Sequence, residues 1–294
     1  MEITQTAKRV VNRHGIGFLL WRGSGRIMRR LTANLRQLPN FIIIGTQRGG
    51  TTSLYNYLIE HPNVIPPFIK ETHFFDNHFD KGVNWYRAFF PLSANTSHFQ
   101  RAHQSEFVTG EATPYYLFYP HAPKRIKATC PWVKLIVVLR NPIDRAYSHY
   151  HHEVRLGVEK LTFEEALERE RQELPSETER ISTDEGYQSF SHQNYSYLSR
   201  GVYINQLEVW NNYFPKEQFL VLRSEDLFSN PRTTLERTTE FLGMKNLESI
   251  KFDVHNALPY QKIKESTQRT LMDYFKPYNQ KLYRYLGMNL GWEN

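Results

Sequence analysis

The residues that could do chemistry fall in two short runs. The first is Gly45-Thr-Gln-Arg-Gly-Gly-Thr-Thr52, which follows the apolar run Phe41-Ile-Ile-Ile44 and precedes a stretch of helical spacing. A glycine-bearing turn at a helix N-terminus gathers backbone N–H groups at one point, and the helix dipole adds positive charge there. Such a loop suits a phosphate. Gly45 and Gly50 keep the glycine spacing of the nucleoside-triphosphatase loop, Gly-x-x-x-x-Gly-Lys-Ser/Thr. Thr51 stands in the usual lysine position, however, and the basic residue has moved inside the loop, to Arg48. With no lysine to reach β- and γ-phosphates, the loop favours a donor with one 5′-phosphate and a transferable group beside Arg48. Read alone, the run fits an ordinary glycine turn equally well. The second run is Lys70-Glu-Thr-His-Phe-Phe-Asp76. Glu71 is a candidate general base, a role that needs a carboxylate within hydrogen-bond reach of a hydroxyl. Read alone, it is better explained as a surface ion pair with Lys70.

These residues need elements to position them. Phe41–Gly45, Lys134–Leu139 and Phe219–Leu222 are short apolar runs that predict buried strands, and a shorter strand is expected near 107–110. Helical spacing covers 51–60, a stretch opened by Asn141-Pro142, and 163–172, 200–213 and 266–285. Asn230-Pro231 reads as an N-cap followed by a first-turn proline, with Gly243 as the helix stop. Strands separated by helices imply βαβ units and a parallel sheet. The expected fold class is therefore α/β, a phosphate-loop nucleotide-binding fold whose central parallel sheet of about five strands is flanked by helices. Residues 173–198 are polar and read as a mobile loop or lid.

Composition narrows the choices further. The chain has 294 residues with 40% hydrophobic and 23% charged residues, which excludes a largely disordered protein. Its formal net charge of +7 is confined to residues 1–40, where Lys8, Arg9, Arg13, Arg22, Arg26, Arg29, Arg30 and Arg36 face one acid, Glu2. The rest is balanced, which argues against nucleic acid as a partner. Residues 1–38 are read as a basic N-terminal arm, either solvated or, through Val10, Val11, Phe18 and Trp21, a peripheral contact with an anionic membrane. Residues 39–294 form the remaining domain. The single Cys130 excludes an intramolecular disulfide and, with no secretory leader read in the sequence, suggests a cytoplasmic setting, peripheral at the inner membrane face if the arm binds there. His149, His151 and His152 are too closely spaced to converge on one ion, so no metal is expected.

Further segments strengthen the phosphate-loop reading. Gly110-Glu-Ala-Thr-Pro-Tyr115, Val138-Leu-Arg-Asn-Pro-Ile-Asp-Arg-Ala-Tyr-Ser148 and Leu222-Arg-Ser-Glu-Asp-Leu227 follow the first two runs in order. Together they resemble the sulfotransferases that use 3′-phosphoadenosine 5′-phosphosulfate, above all the heparan-sulfate-type carbohydrate branch and its bacterial relatives. The resemblance covers about residues 39 to 292. Lys-Glu-x-His-Phe-Phe is the marker most particular to the branch.

The resemblance implies roles. Arg48, Gly49, Gly50, Thr51 and Thr52 would hold the 5′-phosphosulfate, and Arg140 and Ser148 the 3′-phosphate. Glu71 would be the base, with His73 supporting it or touching substrate. Asp76 would hydrogen-bond a sugar. From aromatic content rather than from the resemblance, Tyr115 in its aromatic cluster and Tyr195 in the expected lid read as further acceptor contacts. The acceptor would be a hydroxyl, less readily an amine, of a carbohydrate or glycolipid, and the reaction would need no metal. Two positions depart from the branch. Arginine replaces the usual lysine at Arg48, keeping the charge but not the ready proton. His255 to Tyr260 lacks the basic loop that covers the nucleotide. The rival readings are a kinase with a degenerate loop and a nucleotide- or glycan-binding protein without turnover. A kinase would place lysine after Gly50 and a magnesium-binding aspartate at a strand end, where Thr51 and Arg140 stand.

Overall fold

The structure, a computed structural model, describes residues 26–94, 107–245, 252 and 261–293. The first 25 residues of the basic arm and the His255–Tyr260 stretch lie outside the described residues. Four strands form one parallel sheet: β1 (Phe41–Gly45), β2 (Gly110–Ala112), β3 (Lys134–Leu139) and β4 (Phe219–Arg223). Their spatial order is β2-β1-β3-β4. The helices used below are α1 (Thr51–Ile59), α2 (Ala122–Thr129), α3 (Pro142–Arg155), α4 (Phe163–Thr183), α5 (Phe190–Asn194), α6 (Tyr203–Asn211), α7 (Ser224–Ser229), α8 (Pro231–Leu242) and α9 (Glu265–Leu286).

The strands form because their β-branched and leucine side chains are buried on both faces. Phe41 and Ile43 of β1 point to one side, where they join Leu54 and Leu58 of α1 and Leu235 of α8. Ile42 and Ile44 point to the other, towards Ile143 of α3, Trp210 of α6 and Phe275 of α9. From β1 the chain passes to β2 on one side, and from β3 to β4 on the other. The crevice between the C-terminal ends of β1 and β3 is thus a topological switch point, where open α/β sheets bind ligands.

Two expectations need correction. Among the described residues the sheet has four strands rather than about five, and the stretch between α1 and β2 forms turns and short helices. Its edge strand begins at Gly110, and Val108 contributes an isolated bridge to Val64. The lid expected at 173–198 is instead mostly helix. α4 starts at a capping box on Thr162 and continues through Pro175 to Thr183. Its acids then fasten the segment that follows. Glu170 accepts from the backbone of Leu198 and Ser199, and Glu177 from the hydroxyls of Tyr187 and Ser189. A polar run was read as loose, but its carboxylates are internal hydrogen-bond acceptors.

The capping expectations hold. Asn141 accepts from the N–H of Ile143 ahead of α3, and Asn230 from that of Thr233 ahead of α8, which stops at Gly243 in the left-handed region. Part of the basic stretch before residue 39 is built into the fold. Arg29 is buried and donates to the carbonyls of Ala88 and Phe90, and Arg36 to that of Phe90. Among the described residues no helix is long and apolar enough to cross a membrane.

One position in the loop after β1 shows how tightly it is fitted. A Cβ on Gly49 would lie 2.5 Å from the carbonyl oxygen of Val138 in β3. Backbone cannot yield as a side chain does, so Gly49→Ala should cost about 1–3 kcal/mol, as overpacking typically does. A urea-unfolding midpoint equal to wild type would contradict this fit.

Candidate active site

The phosphate loop is built from backbone outward. Thr46 N–H donates to the carbonyl of Val138 at 3.0 Å, tying the loop to β3. Gly49 N–H closes a turn on the carbonyl of Thr46 at 2.9 Å. Gly50, at φ 97°, takes the left-handed cap from which α1 starts. The cap aims the first N–H groups of α1 at the mouth of the loop, the arrangement an anionic group needs.

Three of the residues assigned to the donor come together here. Arg48 Nε donates to Ser148 Oγ on α3 at 3.1 Å, and Arg140 Nη1 donates to the carbonyl of Arg48 at 3.2 Å. The cations at the end of β3 and inside the loop therefore share one wall. Gln47 points the other way and accepts from the buried guanidinium of Arg200.

Against the loop lies the segment 70–76, which carries an unbroken alternation of charge. Lys70 Nζ donates to Thr52 Oγ1 of α1 at 3.2 Å and to Glu71 Oε1 at 2.8 Å. Glu71 Oε2 is 3.5 Å from His73 Nε2, and His73 Nδ1 is 2.7 Å from Asp76 Oδ2. Partial enclosure tends to raise the Glu71 carboxyl, but the hydrogen bond from His73 and the charge of Lys70 overcome it and hold it down at about 2. Enclosure tends to lower His73, but its bonds to Asp76 and Glu71 push it up to about 10. At neutral pH Glu71 is therefore an anion and His73 a cation.

The backbone beneath them is strained. Among the described residues three non-glycines have positive φ: Arg48 at 68°, Glu71 at 60° and His73 at 49°. Left-handed backbone costs an ordinary side chain about 1–3 kcal/mol and persists where surrounding contacts over-determine it. Those contacts are visible. Glu111 of β2 is fully buried and accepts from Thr72 N–H at 3.2 Å and Thr72 Oγ1 at 2.7 Å. It also accepts from the hydroxyls of Tyr86, Thr113 and Tyr116. Tyr116 in turn accepts from Phe74 N–H at 2.9 Å, and the rings of Phe74 and Phe75 are buried in the core. Thr72 and Phe74 are thus gripped on either side of His73, and Thr72 directly follows Glu71.

The remaining predicted residues lie apart from this focus. The Asp76 side chain is fully enclosed and engaged with His73, so its observed contact is with the imidazole and not with open space. Tyr115 is buried, its hydroxyl 2.7 Å from Nδ1 of His192, which burial first and Arg200 second push down to about 3. Tyr195 lies under the Arg169 guanidinium and donates to the carbonyl of Val158. Thr51 is buried at the start of α1. Among the described residues no group of three or more His, Cys, Asp or Glu is arranged to hold a metal.

Sequence reasoning missed Glu111, Arg200 and the reach of Lys70 to Thr52. Glu111 carried one signal, a carboxylate between the small residues Gly110 and Ala112 at the end of an expected strand. Arg200 carried none, since an arginine at a helix start reads as surface.

Residues 38–283 match the family model for the sulfotransferase domain. The chain is 30% identical to human heparan sulfate glucosamine 3-O-sulfotransferase 3A1 over 92% of its own length and 66% of that protein. It is 27% identical to the membrane-associated sulfotransferase kil1 of Dictyostelium discoideum, over 87% of this chain and 67% of that one. The chain thus spans about two thirds of the length of these curated relatives. A crystal structure of a sulfotransferase from Alicyclobacillus acidocaldarius superposes with a TM-score of 0.64 at 28% identity, covering 88% of this chain and 100% of that one.

The charge alternation has a measurable consequence. A histidine raised from its ordinary 6.5 to about 10 contributes stability that is complete below pH 6.5 and is lost as pH rises through 10. Glu71, lowered to about 2, contributes stability present above its ordinary 4.5 and lost as pH falls through 2. The His73 ring should therefore show imidazolium NMR shifts throughout about pH 6 to 8.5, and Asp76→Asn should lower its midpoint by about 1–3 units. A His73 midpoint near 6.5 in the wild-type protein would refute the alternation.

Proposed function

The chain belongs to the sulfotransferase family, and on that premise we propose that it transfers the sulfuryl group of 3′-phosphoadenosine 5′-phosphosulfate to a carbohydrate hydroxyl. The observation that supports this best is the Glu71–His73–Asp76 chain set against a glycine-bearing loop at the N-terminus of α1, where Arg48, Arg140 and Ser148 meet. Sulfuryl transfer is an in-line displacement, so it needs positioning and charge neutralisation rather than a covalent intermediate.

In this reading the loop from Arg48 to Thr52 cradles the 5′-phosphosulfate, and Arg140 with Ser148 takes the 3′-phosphate. Charge-assisted arginine–phosphate bonds are strong and directional, which suits a site that must tell this donor from ATP. The acceptor oxygen attacks sulfur as its proton passes to Glu71. The bond from sulfur to the bridging oxygen breaks, and the electron pair stays on the 5′-phosphate. Arg48 stabilises that charge without giving up a proton. His73, held by Asp76, fixes the direction in which Glu71 faces. Asp76 therefore acts through the imidazole. A carbohydrate acceptor is proposed because the human relative is named for the 3-O-sulfation of heparan sulfate glucosamine.

Glu71→Gln should lower kcat by about 10²- to 10⁴-fold, the usual worth of a positioned base, with affinity for 3′-phosphoadenosine 5′-phosphate unchanged. Arg140→Ala should weaken that affinity about tenfold or more through loss of a charge-assisted bond. Transfer from labelled donor to extracted carbohydrates measures the first and calorimetry the second. Full activity in Glu71→Gln, or unaltered donor affinity in Arg140→Ala, would overturn the assignment.

A further inference from the structure

The base assigned above is held in a form that makes it a poor base. A carboxylate fixed as an anion by two cations has little drive to take a proton from a hydroxyl. One of those cations, His73, is anchored away from the loop by Asp76, whose side chain is fully enclosed. The other has no such anchor. Lys70 Nζ is a point charge on a flexible stem, partly exposed, shared between Glu71 Oε1 at 2.8 Å and Thr52 Oγ1 at 3.2 Å. Thr52 lies in the first turn of α1, inside the loop that would receive the donor's phosphosulfate. The lysine therefore already touches both the base and the anion site.

We propose that Lys70 is a donor-sensing cation, which pairs with Glu71 until the donor enters and then turns to the 5′-phosphosulfate, so that one movement neutralises the leaving group and frees the base. The proposal rests on the sulfuryl-transfer reading. Lys70 also fills a chemical gap that Arg48 leaves. Arginine supplies fixed charge held by its bonds in the loop, whereas a lysine ammonium on a flexible stem can swing from one anion to another. The stoichiometry of the step is unchanged: the acceptor proton goes to Glu71, the S–O bond to the 5′-phosphate breaks, and Lys70 stays protonated beside the departing oxygen. The order of events follows. Before donor arrives Glu71 is locked, and only a loaded site can activate an acceptor.

Other charges face Glu71 and must be counted in any titration. His73 faces it directly and Asp76 stands behind His73. From α3, His152 lies in the field shared by Glu71, Arg48 and Arg155, and burial lowers it. Of these, Lys70 is the one bonded to both Glu71 and the phosphate loop, so its removal should uncouple them.

The test reads Glu71 itself. The Glu71 carboxyl is followed by ¹³C NMR across pH, assigned by difference from Glu71→Gln, with and without 3′-phosphoadenosine 5′-phosphate. In the wild-type protein, ligand should raise the Glu71 midpoint by about 1–3 units, the range an opposite charge within contact distance controls. In Lys70→Met the midpoint should already be raised without ligand, and ligand should move it by less than half as much. Calorimetry should show about tenfold weaker ligand binding in Lys70→Met, the loss of one charge-assisted contact. An equal ligand-induced shift in both proteins would overturn the proposal, as would unchanged ligand affinity. The wild-type measurement stands even if the variant folds poorly. A result of that kind leaves the base assignment intact, because Glu71→Gln tests the base by turnover. Should Glu71→Gln retain full activity, the base assignment fails separately, whereas the sulfuryl-transfer reading fails if the wild-type protein moves no label from donor to any carbohydrate.

Discussion

The structure depends on one electrostatic constraint: four side chains, basic and acidic in turn, must be held in contact beside a glycine-bearing loop at a helix N-terminus. Lys70, Glu71, His73 and Asp76 satisfy each other in sequence, with contacts from 2.7 to 3.5 Å. No member of the series would be stable in this half-enclosed site without its neighbours, since an unpaired buried charge is costly. The alternation also sets chemical roles. His73 is backed by the fully enclosed Asp76 carboxylate, which fixes its direction, whereas Lys70 and Glu71 are each partly exposed.

Holding that line requires backbone that ordinary residues avoid. Glu71 and His73 take left-handed φ and their side chains meet at 3.5 Å, and Arg48 takes the same conformation within the loop opposite. The restraint comes from behind the site. Buried Glu111 collects five donors from Thr72, Thr113, Tyr86 and Tyr116, while Phe74 stacks on Tyr86 with ring centroids 4.5 Å apart. On the loop side, the parallel pairing of β1 with β3 brings Val138 against Thr46 and Gly49. The strain at the reacting surface is thus carried by a polar network on β2 and by sheet registration, both remote from solvent.

What was legible in the sequence was local. A β-branched run ending in glycine announces a strand and a loop, and Asn-Pro announces a helix start, because each depends on a few adjacent residues. The strands at 41–45, 134–139 and 219–222 and the caps at Asn141, Asn230 and Gly243 belong to this class. What was not legible depended on tertiary partners. Residues 173–183 look like solvated coil by composition, yet they complete α4, and its carboxylates Glu170 and Glu177 bind the segment ending near Ser199. About five strands were expected where four form among the described residues. At the site, Arg48, Arg140 and Ser148 were named in advance and are found together, as are Glu71, His73 and Asp76. Tyr115 and Tyr195 were named from aromatic content, which does not distinguish a ring packed against His192 or Arg169 from one facing a cleft. Lys70 was read as the surface partner of Glu71. Its second bond, to Thr52, spans two separate segments that only the fold brings together.

The central claim is that the crevice between β1 and β3 is a donor site for a 3′-phosphorylated nucleotide, with Glu71 facing it. The most direct measurement is calorimetric binding of 3′-phosphoadenosine 5′-phosphate beside ADP and ATP, without added magnesium. The account predicts tight binding of the 3′-phosphorylated nucleotide and weak binding of the other two, because the role proposed for Arg140 and Ser148, which both meet Arg48, is to take the extra phosphate. Equal affinity for all three, or a preference for ATP that appears with magnesium, would contradict it and remove the basis for the roles given to Arg48 and Glu71.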